Sequence, residues 1–157
     1  MIEAFRPTTL SAVGLTLLKH FEQCRLPAYC PTPDDVPTIG WGATRNADGS
    51  AIKPGDYWDQ AKCDARLDAD LSVLAGKVVK SIGAAPTTQP QFDAMMVLAY
   101  NIGAGALAGS TLLRRHRAAR YDDAAAAFSD WRFQRGRVLP GLVRRRAAEA
   151  ARYRAVA

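Results

Sequence analysis

The residues best equipped for chemistry lie between His20 and Thr44, in HFEQCRLPAYCPTPDDVPTIGWGAT: a carboxyl at Glu22, a thiol at Cys30, adjacent carboxyls at Asp34 and Asp35, and a hydroxyl at Thr38. A helix turns about 100° per residue. From Leu10 to about Gln23 that rotation puts Leu10, Val13, Leu17, Leu18 and Phe21 on one arc and leaves Glu22 at its edge, half in the core. A carboxyl at such a boundary loses hydration of its charged form, which raises its pKa toward the range a general acid needs near neutral pH. A glutamate beside an apolar stripe is also a common solvated flank residue, and spacing alone leaves both roles open.

The strand expected next, Thr38-Ile39-Gly40-Trp41-Gly42-Ala43-Thr44, puts Ile39, Trp41 and Ala43 on one face and Thr38, Gly40, Gly42 and Thr44 on the other. The second face has almost no bulk. Two glycines in a strand indicate close approach of a ligand or of another backbone, and a tightly packed hairpin without ligand remains the alternative. Asp48-Gly49 signals the hairpin turn, over Asn46 to Gly49.

The elements that must position these groups follow from helix signals and breakers. Asp56 can cap a long helix from about Tyr57 to Ser81, with Leu67, Leu71, Leu74 and Val78 as its apolar series. Gly83 to Pro90 ends it. Short helices are expected at about 91–102, 110–117, 121–130 and 140–155, with Phe92, Met95, Met96, Leu98 and Ala99 in the core.

At 157 residues and 48% hydrophobic content the chain can bury a sizeable core in one unit of two lobes. Its apolar stretches are far shorter than the roughly 18 residues of a membrane span. The start, MIEAFRPTTLSAVGL, lacks a charged-then-apolar signal pattern, so synthesis in the cytoplasm in soluble form is expected. A net charge of +6 and a pI near 9.5 suggest an acidic partner, cell-wall polymer or nucleic acid. No helix shows a nucleic-acid recognition motif beyond charge, and Arg144, Arg145 and Arg146 spread around a helix too widely to face one ligand. Cys24, Cys30 and Cys63 make an odd count that favours free thiols. With only His20 and His116 and no paired-cysteine motif, no metal site is expected.

The segment from Phe21 to Thr44 resembles the signature of the phage-type lysozymes and endolysins, glycoside hydrolase family 24, which reads FEG, RL, AY, a short acidic loop and TIGYGHT. NIGAGALAGSTLLRR at 101–115 and GRVLPGLVRRRAAEAARY at 136–153 resemble the family's later motifs, with QPQFDAM at 89–95 between them. The resemblance implies an α+β, mostly α lysozyme-like fold: a small β-hairpin lobe at 25–57, a connecting helix at 58–82, and a helical lobe built from 1–24 with 83–157, the cleft lying between the lobes. It implies cleavage of the β-1,4 bond between N-acetylmuramic acid and N-acetylglucosamine in bacterial peptidoglycan for host cell lysis. No cofactor, a monomer, and release to the wall through a holin-type pore are implied too.

Carried over residue by residue, the family's glutamate falls on Glu22 and its threonine on Thr38. Its aspartate falls at position 31, where this chain has Pro31, and the interval from Glu22 to Thr38, 16 positions, is one longer than usual. Inversion at a sugar needs an acid on the leaving oxygen and a second group holding water on the opposite face. Asp35 is the candidate for assisting that water, with Asp34 or Cys30 as alternatives; otherwise Thr38 alone orients it. A lytic transglycosylase, or a non-catalytic wall-binding module, would be consistent with the departure. Gly40, Asn101, Arg135 and Arg137 are candidate substrate contacts, Asn101 having a buried helix-end amide as its other reading. The family's histidine falls on Ala43, so Asp70, its usual partner, must find an arginine or solvent.

Overall fold

A computed structural model describes residues 6–157. The chain divides into two units, one of Leu18–Ser72 and one of the residues up to Leu17 together with Val73–Ala157. The divisions fall inside helices α1 (Ala12–Phe21) and α2 (Gln60–Ile82) rather than at their ends. Of the helical lobe expected over 1–24 and 83–157, residues 1–5 lie outside the described residues. Among the described residues no helix is long and apolar enough to cross a membrane.

Helix α1 begins later than its periodicity suggests, and its stripe is rotated. Leu18 is fully buried, but Val13, expected inside, is 56% exposed. The residue one turn before Leu18 is Gly14, and a Cβ there would lie 2.6 Å from Asp93 Cγ. Glycine contributes nothing to an apolar count, so the true contact face was invisible to it. Ser11 starts the helix, its hydroxyl accepting from the Gly14 N–H at 3.1 Å.

In the smaller unit, β1 (Arg25–Tyr29) and β2 (Thr38–Gly40) pair antiparallel with Arg25 opposite Gly40 and Tyr29 opposite Thr38, across a bulge. No strand was expected at 25–29. On the other side of β1, Ala28 N donates to Asp56 O and Trp58 N to Leu26 O, each at 2.9 Å, so β1 is held on both edges. Ile39, Ile52, Trp58 and Cys63 form the core, with Leu26, Ala28, Trp41 and Ala43 packed against it. The strand expected over 38–44 stops at Gly40. Ile39 and Ala43 exchange two backbone hydrogen bonds of 2.9 Å, closing a tight turn in which Gly40 (φ +63°) and Gly42 (φ +106°) take left-handed conformations. The paired glycines therefore make a corner, and the extended bare face does not exist. The Asn46–Gly49 turn forms as read, with Asp48 accepting from Ser50 N at 2.9 Å. Asp56 does not cap α2. Its carboxylate accepts from Lys53 N at 2.8 Å, and Asp59 caps instead through Lys62 N at 2.8 Å.

The larger unit is built on α3 (Gln89–Ile102), where every residue from Pro90 to Ala99 is buried, including the five core residues expected there. Thr88 and Gln91 close a capping box at its start. Helices α4 (Ala104–Ala108), α5 (Thr111–Arg117) and α6 (Tyr121–Ala126) follow, then a 3-10 turn at Ala127–Trp131 and a short hairpin of β3 (Phe133–Gln134) and β4 (Arg137–Val138). Helix α7 (Pro140–Arg154) packs along α3. Neither α4 nor the β3–β4 hairpin was expected, and the helix read over 121–130 tightens into 3-10 form after Ala126.

Two buried polar groups organise this unit. Asp93, fully buried, accepts from Ser11 N (2.9 Å), Ser11 Oγ (2.5 Å), Gln89 Nε2 (2.8 Å) and Arg152 Nη2 (2.6 Å). His116, also fully buried, lies 2.9 Å from Thr87 Oγ1 and 2.6 Å from Tyr153 Oη. Thr87 already donates to Ala85 O, so its oxygen accepts from Nε2–H, and Nδ1 accepts from the tyrosine. A second ring proton would face the tyrosine's own hydrogen. Burial lowers the His116 pKa to about 4. The unfolded imidazole titrates near 6.5, so the stability this histidine contributes is complete above that value and is lost as pH falls toward about 4. The loss by pH 4 is about 3 kcal/mol. His116→Gln is expected to melt lower at neutral pH and to show a flatter decline from pH 6.5 to 4; thermal melts across that window check this, and parallel declines would exclude His116 as the source.

Candidate active site

Glu22 follows the last residue of α1, and its N–H donates to Leu18 O at 2.9 Å, so the helix's hydrogen bonding extends to it. It is half-buried, at the core edge as its position on the arc requires. Three residues later Arg25 pairs with Gly40, and two residues before Gly40 stands Thr38. The β1–β2 pairing thus brings the stretch carrying the acid alongside the stretch carrying the hydroxyl. Thr38 is 8% exposed, and its Oγ1 donates to Val36 O at 3.2 Å. With its proton committed to that carbonyl, the oxygen is left to accept from a water.

The loop between these strands carries the other candidates. Cys30, Asp34 and Asp35 are all exposed, and Asp35 N donates to Thr32 O at 3.1 Å in a turn. Gly40 is buried, and a Cβ on it would meet Cys63 Sγ at 3.3 Å and Trp58 at 3.4 Å. The observed reason for glycine here is a corner packed on the core. All of these residues belong to the smaller unit. Asn101, Arg135 and Arg137 belong to the larger one. Asn101 is exposed at the end of α3, so the buried-amide alternative falls. Arg135 (φ +50°) forms the β3–β4 turn with Gly136, and Arg137 opens β4; both are exposed.

Two groups that sequence reasoning passed over stiffen these surroundings. Asp64 accepts from Trp41 Nε1 at 2.8 Å and Gln60 Nε2 at 3.0 Å, with Lys19 Nζ at 3.9 Å, and the tryptophan hydrogen bond leads in holding its carboxyl below the ordinary value. Lys19 also lies 5.1 Å from the Trp41 ring centroid. In the larger unit, Glu149 is fully buried between Arg145 (3.1 Å) and Arg146 (2.8 Å). Burial pushes its pKa up to about 7 against the pull of both guanidiniums. The spacing RRRAAE, three and four residues apart, was the available signal for these pairs. Arg145 and Arg146, counted in the net charge that suggested an acidic partner, are thereby internal. All three cysteines are free thiols, and burial, with the hydrogen bond that the Cys63 thiol donates to Cys24 next, raises Cys63 to about 11.

Asp70 does find an arginine: Arg66 Nε donates to both of its oxygens, at 2.9 and 3.0 Å. That pairing bears on the vacancy at Ala43, which packs against the hairpin core. A histidine there would gain an acid-side advantage only by pairing with Asp70, because stability from a raised histidine pKa is present below the unfolded value and lost as pH rises. With Arg66 holding Asp70 and apolar neighbours around Ala43, Ala43→His is expected to give no rise in melting temperature at acidic pH; a clear rise there would show that the imidazole displaces Arg66.

The family model for phage lysozyme matches residues 19–149. The endolysin of Bacillus phage B103 is 37% identical over 141 residues, covering 89% of this chain and 52% of that protein. The chain spans about half the length of the first curated relatives it matches. The solved endolysin from Escherichia coli O157:H7 phage FAHEc1 superposes with a TM-score of 0.83 at 36% identity, covering 93% of each chain. The muramidase domain of SpmX from Asticaccaulis excentricus gives 0.80 at 32%, covering 94% of this chain and 99% of that one. A core that fixes a glutamate at a helix end beside a threonine-headed strand, matched over this much of the chain, places the protein in the phage lysozyme family.

Proposed function

We propose that the chain is an endolysin that hydrolyses the β-1,4 bond between N-acetylmuramic acid and N-acetylglucosamine in peptidoglycan for host cell lysis. The observation that carries this is the half-buried Glu22, tied through the β1–β2 pairing to Thr38, in a member of the phage lysozyme family. Relatives named endolysin and muramidase support the substrate. Glu22 donates its proton to the glycosidic oxygen as the bond from C1 breaks, and a water on the opposite face, held by Thr38 Oγ1, bonds to C1 and gives up its proton. Asp35 takes that proton in this reading, and Asn101, Arg135 and Arg137 contact the glycan. The protein acts as a monomer without cofactor, made in the host cytoplasm and released to the wall by a holin-type pore.

Product analysis on purified walls tests the reading. Hydrolysis creates new reducing ends. Anhydro-muramyl ends would instead identify a transglycosylase, which the proline at position 31 favours by removing the aspartate; binding without any cleavage would identify a wall-binding module. Asp35→Asn is expected to slow lysis more than Asp34→Asn, since Asp35 lies nearer Thr38 along the loop. Parental rates in both and in the double variant would leave the water to Thr38 alone.

A further inference from the structure

The Arg145–Arg146–Glu149 cluster is more elaborate than helix packing requires, since fully desolvating a carboxylate costs more than an apolar residue of similar size would. Its contacts show an outlet. Arg146, 2% exposed, reaches from α7 to α3 and donates through Nη2 to Glu149 Oε1 and to Asn101 Oδ1, each at 2.9 Å. Arg145 Nη2 adds a contact to Val97 O at 3.4 Å on the same face of α3. A guanidinium only donates, so the atom of Asn101 that meets Arg146 must be the carbonyl oxygen, which settles the orientation of the carboxamide. Nδ2 is then left with two donors and no hydrogen-bond partner among the described residues, on an exposed side chain.

We propose that Arg146, held by Glu149, is a positioning residue for sugar binding: it fixes the Asn101 carboxamide so that its N–H groups present to an acceptor oxygen of the N-acetylated glycan. This rests on the reading of Asn101 as a glycan contact. An exposed asparagine otherwise samples several rotamers, and fixing it beforehand removes that ordering loss from the binding step. Because Glu149 pairs with Nε of the same guanidinium and shares Nη2 with Asn101, Arg146 cannot swing away with Asn101.

The experiment uses the intact protein and separates binding from catalysis. The probes are an N-acetylglucosamine trimer for affinity and purified walls for KM and kcat. Asn101→Asp keeps its shape and its pairing with Arg146 while replacing donors by an acceptor. It should retain the parental melting temperature and lose trimer affinity about tenfold, with KM rising and kcat little changed, and Asn101→Ala should match it. Arg146→Lys keeps a charge for Glu149 but not the fork. It should raise KM similarly, and combining it with Asn101→Ala should add nothing further, because both act through one amide. Should Arg146→Lys not fold, the side-chain amide of Asn101 in the parent, followed by ¹⁵N relaxation, should be as rigid as the α3 backbone. Parental affinity in Asn101→Asp, additive losses in the double variant, or a freely rotating amide would each overturn the proposal. A parent that binds trimer in this pattern yet leaves walls uncut would refute the hydrolase reading instead, and leave this one standing.

Discussion

Glu22→Gln is expected to abolish wall lysis while leaving the melting temperature close to the parent's. The amide keeps the size of the carboxyl and its place at the end of α1, and the backbone hydrogen bond to Leu18 O does not involve the side chain. What disappears is the transferable proton. General acid catalysis contributes about 10² to 10⁴ in rate. With Pro31 standing where the resemblance puts the family's aspartate, little remains to compensate, so the upper part of that range is expected. Turbidity clearance of purified walls, with thermal melts as a control for folding, measures both sides. A variant that clears walls at near the parental rate would remove Glu22 from the mechanism.

The largest loss of stability is expected at Asp93. Its carboxylate is fully buried and accepts from Ser11, Gln89 and Arg152, tying the start of α1 and the end of α7 to α3. Asp93→Ala removes the acceptor and leaves the Arg152 guanidinium, mostly buried, without its carboxylate, and Ser11 and Gln89 without their shared acceptor. Breaking one half of a buried pair in this way costs about 3–5 kcal/mol. Asp93→Asn should fall between, since the amide oxygen can still accept from part of the set. Urea denaturation gives the comparison; a loss below about 1 kcal/mol in Asp93→Ala would show that water replaces the carboxylate, at the level of an ordinary exposed contact.

The two catalytic candidates were legible because their neighbours are apolar or conformationally special: the leucines of α1 mark the core edge at Glu22, and Thr38 stands at the head of a strand that ends in a glycine corner. The helical elements were legible for the same reason, through Leu67, Leu71 and Val78 on α2 and the run from Phe92 to Ala99 on α3. What escaped was polar or lacked a side chain. Gly14 makes the contact that turns α1, yet carries nothing that a hydrophobic period can register. Asp93 and Glu149 look like surface charges in a linear reading, because their partners lie on other elements or one turn away inside the core. The glycines at 40 and 42 were correctly singled out, and of their two readings the tightly packed hairpin is the one observed: positive backbone angles turn the corner, and at Gly40 the missing Cβ lets it pack on Cys63 and Trp58.

The loop from Cys30 to Val36 is exposed at every residue and hangs between two strands whose register is fixed by other contacts. Closing such a loop depends only logarithmically on its length, so one extra residue changes the folding free energy by about 0.1 kcal/mol. Glu22 and Thr38, the candidate acid and water-holder, are therefore anchored in the architecture, whereas Asp35, the candidate third participant, sits on a segment free to lengthen, shorten or exchange its functional groups. An evolving lineage could retune the fate of the water, or relinquish it for intramolecular capture, by rewriting these few residues while inheriting everything else unchanged.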